Sequence, residues 1–167
     1  QDSNARSPIV FVLTSGADVL DLTLDIARIG LAAEMLGSLQ ECFERTVAYL
    51  KEREQFGVPI GSFQALKHRA ADMFCEVELS KSCVLEALSA LDEGRDATQV
   101  ASLASLTKTK VGETFHQVSR EGIQMHGGIG MTDEFDIGFF IKRAAVAEQT
   151  LGDSSFHRNR YGELEGY

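Results

Sequence analysis

Two stretches of this chain set ligand-gripping side chains beside backbone that a bound molecule could approach closely. The first runs Tyr49-Leu50-Lys51-Glu52-Arg53-Glu54-Gln55-Phe56-Gly57-Val58-Pro59-Ile60-Gly61-Ser62-Phe63-Gln64. It gathers Arg53, Gln55, Gln64, Phe56 and Phe63 around one tight turn, a set able to hold an anion and to stack on or beside a planar ring. A plain surface turn with snorkelling side chains would use the same residues. The second runs Gln124-Met125-His126-Gly127-Gly128-Ile129-Gly130-Met131. Its glycines permit close backbone approach, and their amides can bond phosphate or ring heteroatoms. The segment follows a helical pattern and not a strand, so it is no dinucleotide-binding fingerprint, and a glycine-rich turn is also a common helix stop. His126 is placed either as a ligand contact or as a capping or packing residue. His68, His116 and His157 are scattered, with no spacing that suggests a metal site or a catalytic triad.

Long helices must position these stretches. The only prolines are Pro8 and Pro59, and apolar residues recur at steps of three and four from Leu22 to about Phe56, through Leu36, Leu39, Phe43, Val47 and Leu50. Gly57 stops that helix, and Ser62 is the expected N-cap of a second, striped by Leu66, Met73, Val77, Val84, Leu88 and Leu91. A third follows Asp96 as N-cap, with Val100, Leu103, Val111, Phe115 and Val118 inward, and ends at Gly127-Gly128. Residues 137–147 supply a fourth, and a short last helix spans about Ser154 to Leu164. Short turns between long helices make antiparallel neighbours, so the expected fold is all-α: an antiparallel four-helix up-and-down bundle with a short extra C-terminal helix. Residues 22–167 form that bundle. Residues 1–21 read as an extended arm or linker, because Pro8 to Leu13 is a β-branched and aromatic run with no partner strand downstream.

The 167 residues suffice for one compact core. A formal net charge of −9 has the wrong sign for broad nucleic-acid or anionic-membrane binding, so an anionic ligand needs a local basic exception, which Arg53 offers. Cys42, Cys75 and Cys83 read as buried, reduced thiols in a cytoplasmic protein, and no stretch approaches the length of a membrane span. Self-association or a partner is expected to cover apolar surface on the third and fourth helices.

Lys51 to Ile60, then Phe63-Gln64, then some 60 residues later Gln124 to Gly130, together resemble the acyl-CoA dehydrogenase family over roughly residues 22–160. Arg28 with Ala32-Ala33-Glu34-Met35-Leu36-Gly37 resembles the start of the same C-terminal helical domain. The resemblance implies a flavoprotein fragment that completes an FAD site with two further domains. Arg53 would contact the FAD pyrophosphate, with Gln55, Phe56, Phe63 and Gln64 close by. Gln124, Met125, His126, Gly127 and Gly128 would meet the adenosine end, on the FAD of a neighbouring subunit. It further implies an acyl-CoA substrate bound near Gly152, an electron-transfer acceptor, and a homo- or hetero-oligomer, dimer or tetramer, of dehydrogenase-like subunits.

The family's reaction needs a carboxylate to remove the α-proton of an acyl thioester while the flavin accepts the β-hydride. The two positions where the resemblance expects that base are Leu151 and Ala27 here, and neither side chain can take a proton. Asp25, Glu148 and Asp153 are the nearest acids in sequence. Three readings stay open: a base-lacking subunit of a heteromeric enzyme resembling those that degrade steroids, a homomeric enzyme with an unmatched acid, and a non-catalytic helical interaction domain.

Overall fold

The computed structural model describes residues 15–167; the expected strand over residues 8–13 lies outside them. Five helices follow: α1 (Gly16–Glu52), α2 (Gln64–Asp92), α3 (Ala97–His126), α4 (Ile137–Gln149) and α5 (Ser154–Glu165). The all-α bundle with a short extra C-terminal helix is therefore observed. Its first helix starts at Gly16, not Leu22, because Ser15 and Asp18 close a reciprocal capping box, each side chain bonding the other's backbone N–H.

That helix stops at Glu52, earlier than Phe56. In the turn, β1 (Glu54–Gln55) pairs antiparallel with β2 (Val58–Pro59), and the Ile60 N–H donates to the Arg53 carbonyl at 2.7 Å. Phe63, not Ser62, occupies the N-cap position of α2, without a side-chain capping bond, since Ser62 is drawn into a 3-10 turn over Ile60–Ser62. The cap at Asp96 forms as expected, its Oδ1 accepting from the Thr98 and Gln99 amides at 3.0 Å.

Packing centres on α3, which contacts α1, α2, α4 and α5. Where α1 meets it, the buried line runs through Ala32, Met35, Leu39, Cys42, Thr46 and Leu50. Leu36, Phe43 and Val47, expected on that line, are only partly buried at its flank. Close approach explains the shift: a Cβ on Gly122 of α3 would lie 2.9 Å from Thr46 Oγ1 and 3.4 Å from Cys42 Sγ, leaving no room for larger groups. On α2, Ala87 and Ala90 are buried while Leu88 is exposed. Cys42 alone of the three cysteines is buried; Cys75 is exposed and Cys83 intermediate. Burial pushes the Cys42 thiol up to about 12.

Exposed large apolar side chains lie on α1 (Val19, Leu20, Ile26), α2 (Phe74, Leu79, Leu85, Leu88), α4 (Phe139, Val146) and α5 (Phe156), whereas α3, expected to carry such surface, exposes only Leu106 among its large apolar residues. No helix among the described residues is long and apolar enough to cross a membrane. Leu39→Ala should cost about 2–5 kcal/mol in urea unfolding, and Phe43→Ala distinctly less, because only Leu39 is fully enclosed.

Candidate functional site

At one end of the bundle the two sequence motifs meet. A cleft of about 470 Å³ is lined by Arg53, Gln55, Phe56 and Phe63 from the α1–α2 turn, and by Gln124, Met125, His126, Gly127 and Gly128 from the end of α3. Gln64 is absent from this wall; it is exposed at the start of α2. Phe56 and Gly57 both have positive φ, 56° and 80°, between the paired β1 and β2 residues, as in a type I′ hairpin. Phenylalanine is rarely tolerated there, and Phe56 is nonetheless 91% exposed, set edge-on to Phe63 with ring centroids 6.2 Å apart. The hairpin is invisible to sequence reading because Phe-Gly is not among the usual dipeptides of that turn.

His126 closes the cleft's far wall. Its Nδ1–H donates to the Gly122 carbonyl at 2.7 Å, leaving Nε2 an acceptor. Its ring stacks on Tyr49 at 4.1 Å, and Phe135 meets both rings edge-on. Burial holds its pKa below the usual histidine value, against the opposing pull of the Gly122 carbonyl, so the ring is neutral at pH 7. A Cβ added at Gly128 would meet nothing within 4 Å, so packing does not demand glycine there, whereas Gly127, the C-cap of α3, takes a positive φ of 66° that favours glycine whatever the space. The bare backbone faces open space. Two arginines, Arg53 and the Glu121-paired Arg69, with exposed aromatic rings, a neutral imidazole and unhindered glycine amides, suit a planar ring system carrying phosphate.

A polar network occupies the other end. Asp25, 2% exposed, receives both guanidinium nitrogens of Arg160 at 2.7 Å and Arg28 Nη1 at 2.8 Å. Arg28 Nε donates to the Leu151 carbonyl at 3.2 Å, and His157 Nε2 donates to the same oxygen at 3.1 Å. Ser105 Oγ accepts from Arg160 and bonds His157 Nδ1, closing a ring of contacts through α1, α3 and α5. Lys108, also 2% exposed, donates to the carbonyls of Glu148 and Gly152 at 3.0 and 3.1 Å. Leu151 (φ 62°) and Gly152 (φ 108°) both take left-handed backbone, and a Cβ on Gly152 would strike Phe156 Cδ1 at 2.5 Å.

The family model for the C-terminal domain of acyl-CoA dehydrogenases matches residues 14–164. The chain belongs to the acyl-CoA dehydrogenase family. It is 41% identical over 128 residues to acyl-CoA dehydrogenase IpdE2 of Mycolicibacterium smegmatis, covering 77% of this chain and 39% of that protein. Among solved structures it resembles butyryl-CoA dehydrogenase of Megasphaera elsdenii, with a TM-score of 0.86 and 27% identity over 91% of this chain and 39% of that one. It also resembles the Tcur3481-Tcur3483 steroid ACAD, with a TM-score of 0.84 and 36% identity over 90% of this chain and 41% of that one. The chain thus spans about two fifths of the relatives it matches.

Against the acyl-CoA dehydrogenase reaction, the far end is short of an acid. Ala27 adjoins Arg28, which bonds the Leu151 carbonyl, so both expected base positions lie on one hydrogen-bonded junction, and both are aliphatic. Each nearby acid is differently placed. Asp25 is held by two arginines, Asp153 caps α5 through its Oδ1 and the Phe156 amide at 2.8 Å, and Glu148 lines a separate cleft with Arg120 and His116. Lys108, Arg160 and His157 escaped sequence reading, since nothing in their spacing signals burial.

His157, fully enclosed, has its pKa pushed down to about 4, first by burial and then by the Arg28 charge. Because the unfolded chain binds this proton more readily, the resulting stability is complete above about pH 6.5 and fades as pH falls towards 4. His157→Gln should therefore flatten the acid limb of denaturant-unfolding stability between pH 7 and 4.5, removing on the order of 2–3 kcal/mol of its fall.

Proposed function

We propose that this domain gives cofactor contacts to the flavin site of an adjoining subunit and lacks the base for a site of its own, as the base-lacking subunit of a heteromeric acyl-CoA dehydrogenase. The carrying observation is the distance between its two functional ends. Arg28 and the α1 cap Arg53 are 25 residues apart along one helix, about 37 Å at 1.5 Å per residue. A flavin gripped at Arg53 is therefore not the one served from residue 151. Two active sites share each domain, and this chain contributes a carboxylate to neither. The homomeric reading needs an unmatched acid, and Asp25, Asp153 and Glu148 are otherwise engaged or face elsewhere. An interaction domain without cofactor would give no reason for a strained, exposed Phe56 beside the open backbone of Gly128.

FAD, when bound, accepts the β-hydride of an acyl-CoA thioester and passes its electrons to an electron-transfer acceptor. In this reading Arg53 pairs with the pyrophosphate, and Gln55, Phe56 and Phe63 line the ring system. The backbone from Gln124 to Gly128 meets the adenosine half. Gly152 lies beside the thioester at the other end, and unpaired cysteines suit a reducing cytoplasm. Lysine cannot reproduce the bidentate fork of arginine on a pyrophosphate. Arg53→Lys in the full-length assembly should bind FAD about 10- to 100-fold more weakly, read by flavin fluorescence on dilution, with helical circular dichroism unchanged. Retention of FAD at wild-type affinity would sink the proposal.

A further inference from the structure

The loop after α4 is far more heavily anchored than a link between two short helices requires. Two of its carbonyls, those of Leu151 and Gly152, and the Glu148 carbonyl in the last turn of α4 accept from donors on three different helices: Lys108 on α3, Arg28 on α1 and His157 on α5. Arg28 is fixed by Asp25, and His157 by Ser105, so the donors themselves cannot drift. Among the described residues Lys108 has no carboxylate in ion-pair contact; it spends its charge on two backbone oxygens inside the protein. A buried lysine is costly, and a surface loop tolerates many conformations without one. This arrangement imposes one conformation, with the non-glycine Leu151 left-handed and Gly152 jammed against Phe156 and His157.

We infer that Lys108, Arg28 and His157 are positioning residues, which together fix the backbone at residue 151 so that whatever side chain stands there leaves the bundle in one direction. The chain has kept the mount of a general base and lost only the base. This rests on the flavoprotein reading above. In the reaction so restored, a carboxylate at residue 151 takes the α-proton, the β-hydride passes to oxidised FAD, and the products are the enoyl thioester and reduced flavin.

The test uses the full-length chain assembled with its partner subunits, the partner's own base removed, and butyryl-CoA, palmitoyl-CoA and a steroid side-chain CoA thioester as probes. Leu151→Glu should bleach the flavin with at least one probe where the parent does not. Adding Lys108→Met, which fills the same volume without a donor, should lower kcat at least 100-fold with KM within about threefold. His157→Leu should act likewise, and His157→Gln, which restores a donor to the Leu151 carbonyl, should recover much of the rate. Without any probe, Lys108→Met should raise amide hydrogen exchange at residues 150–153 while α1 and α2 stay protected. The inference is overturned if Leu151→Glu gives no turnover in an assembly whose spectrum shows bound flavin. It is equally overturned if the double variants turn over as fast as Leu151→Glu. An assembly whose cleft at Arg53 holds no flavin refutes the earlier reading instead, and hydrogen exchange then decides the clamp alone.

Discussion

Everything in this domain hangs on α3 being enclosed by the other four helices. A helix with neighbours on all sides must be small or apolar where they come close, and a polar group it keeps is costly unless it finds an internal partner. Val111, Phe115 and Val118 supply the apolar part, and Ala104, Gly112 and Gly122 the close approaches. Lys108 and Thr107 reach carbonyls outside α3, at Glu148 of α4 and Gly152 of the following loop for the first and Cys83 of α2 for the second. Because α3 cannot shift, what projects from it is fixed as well. Its last turn sets Gln124, Met125 and His126 on the wall of one cleft, and its Lys108 anchors the loop at the opposite end.

Backbone strain marks both ends independently of any comparison. Phe56 and Leu151 are the two non-glycine residues with positive φ among those described. Such conformations cost roughly 1–3 kcal/mol each and persist only where surroundings over-determine them. At Phe56 the over-determination is the antiparallel pairing of Glu54 and Gln55 with Pro59 and Val58, backed by the Ile60–Arg53 bond. At Leu151 it is the pair of donors on a single carbonyl.

Sequence periodicity sufficed to count the helices, since that depends on near-neighbour spacing, whereas the family resemblance alone gave the two motifs a common ligand. Periodicity failed where a distant element decides. The buried line of α1 passes through Cys42 and Thr46, not Phe43 and Val47, because Gly122 lies 76 to 80 residues away in sequence and admits only small groups. The start at Gly16 is legible in Ser15 and Asp18, because their capping box, and not the first strong apolar residue Leu22, sets where the helix begins. Asp25, Arg28, Lys108 and Arg160 look like solvated charges one by one. Asp25 and Arg160 are separated by 135 residues, so their pairing has no local signature.

The charges at the Leu151 end explain how a chain can lose a catalytic carboxylate and keep its fold. Arg28 and Arg160 share one deeply buried carboxylate, Asp25, and Lys108 has no ion-pair partner among the described residues. The remaining positive charge is met by backbone: the Ala101 carbonyl for Arg160, the Leu151 carbonyl for Arg28, and for Lys108 the Glu148 carbonyl at the C-terminal turn of α4, the negative end of that helix dipole. None of these partners is a side chain at residue 151. Replacing an acid there by leucine removes a proton acceptor without breaking any bond of the ring, and it spares the fold an additional partly buried carboxylate. Support and chemistry at this end reside in different residues, so the second can vanish while the first still holds the fold.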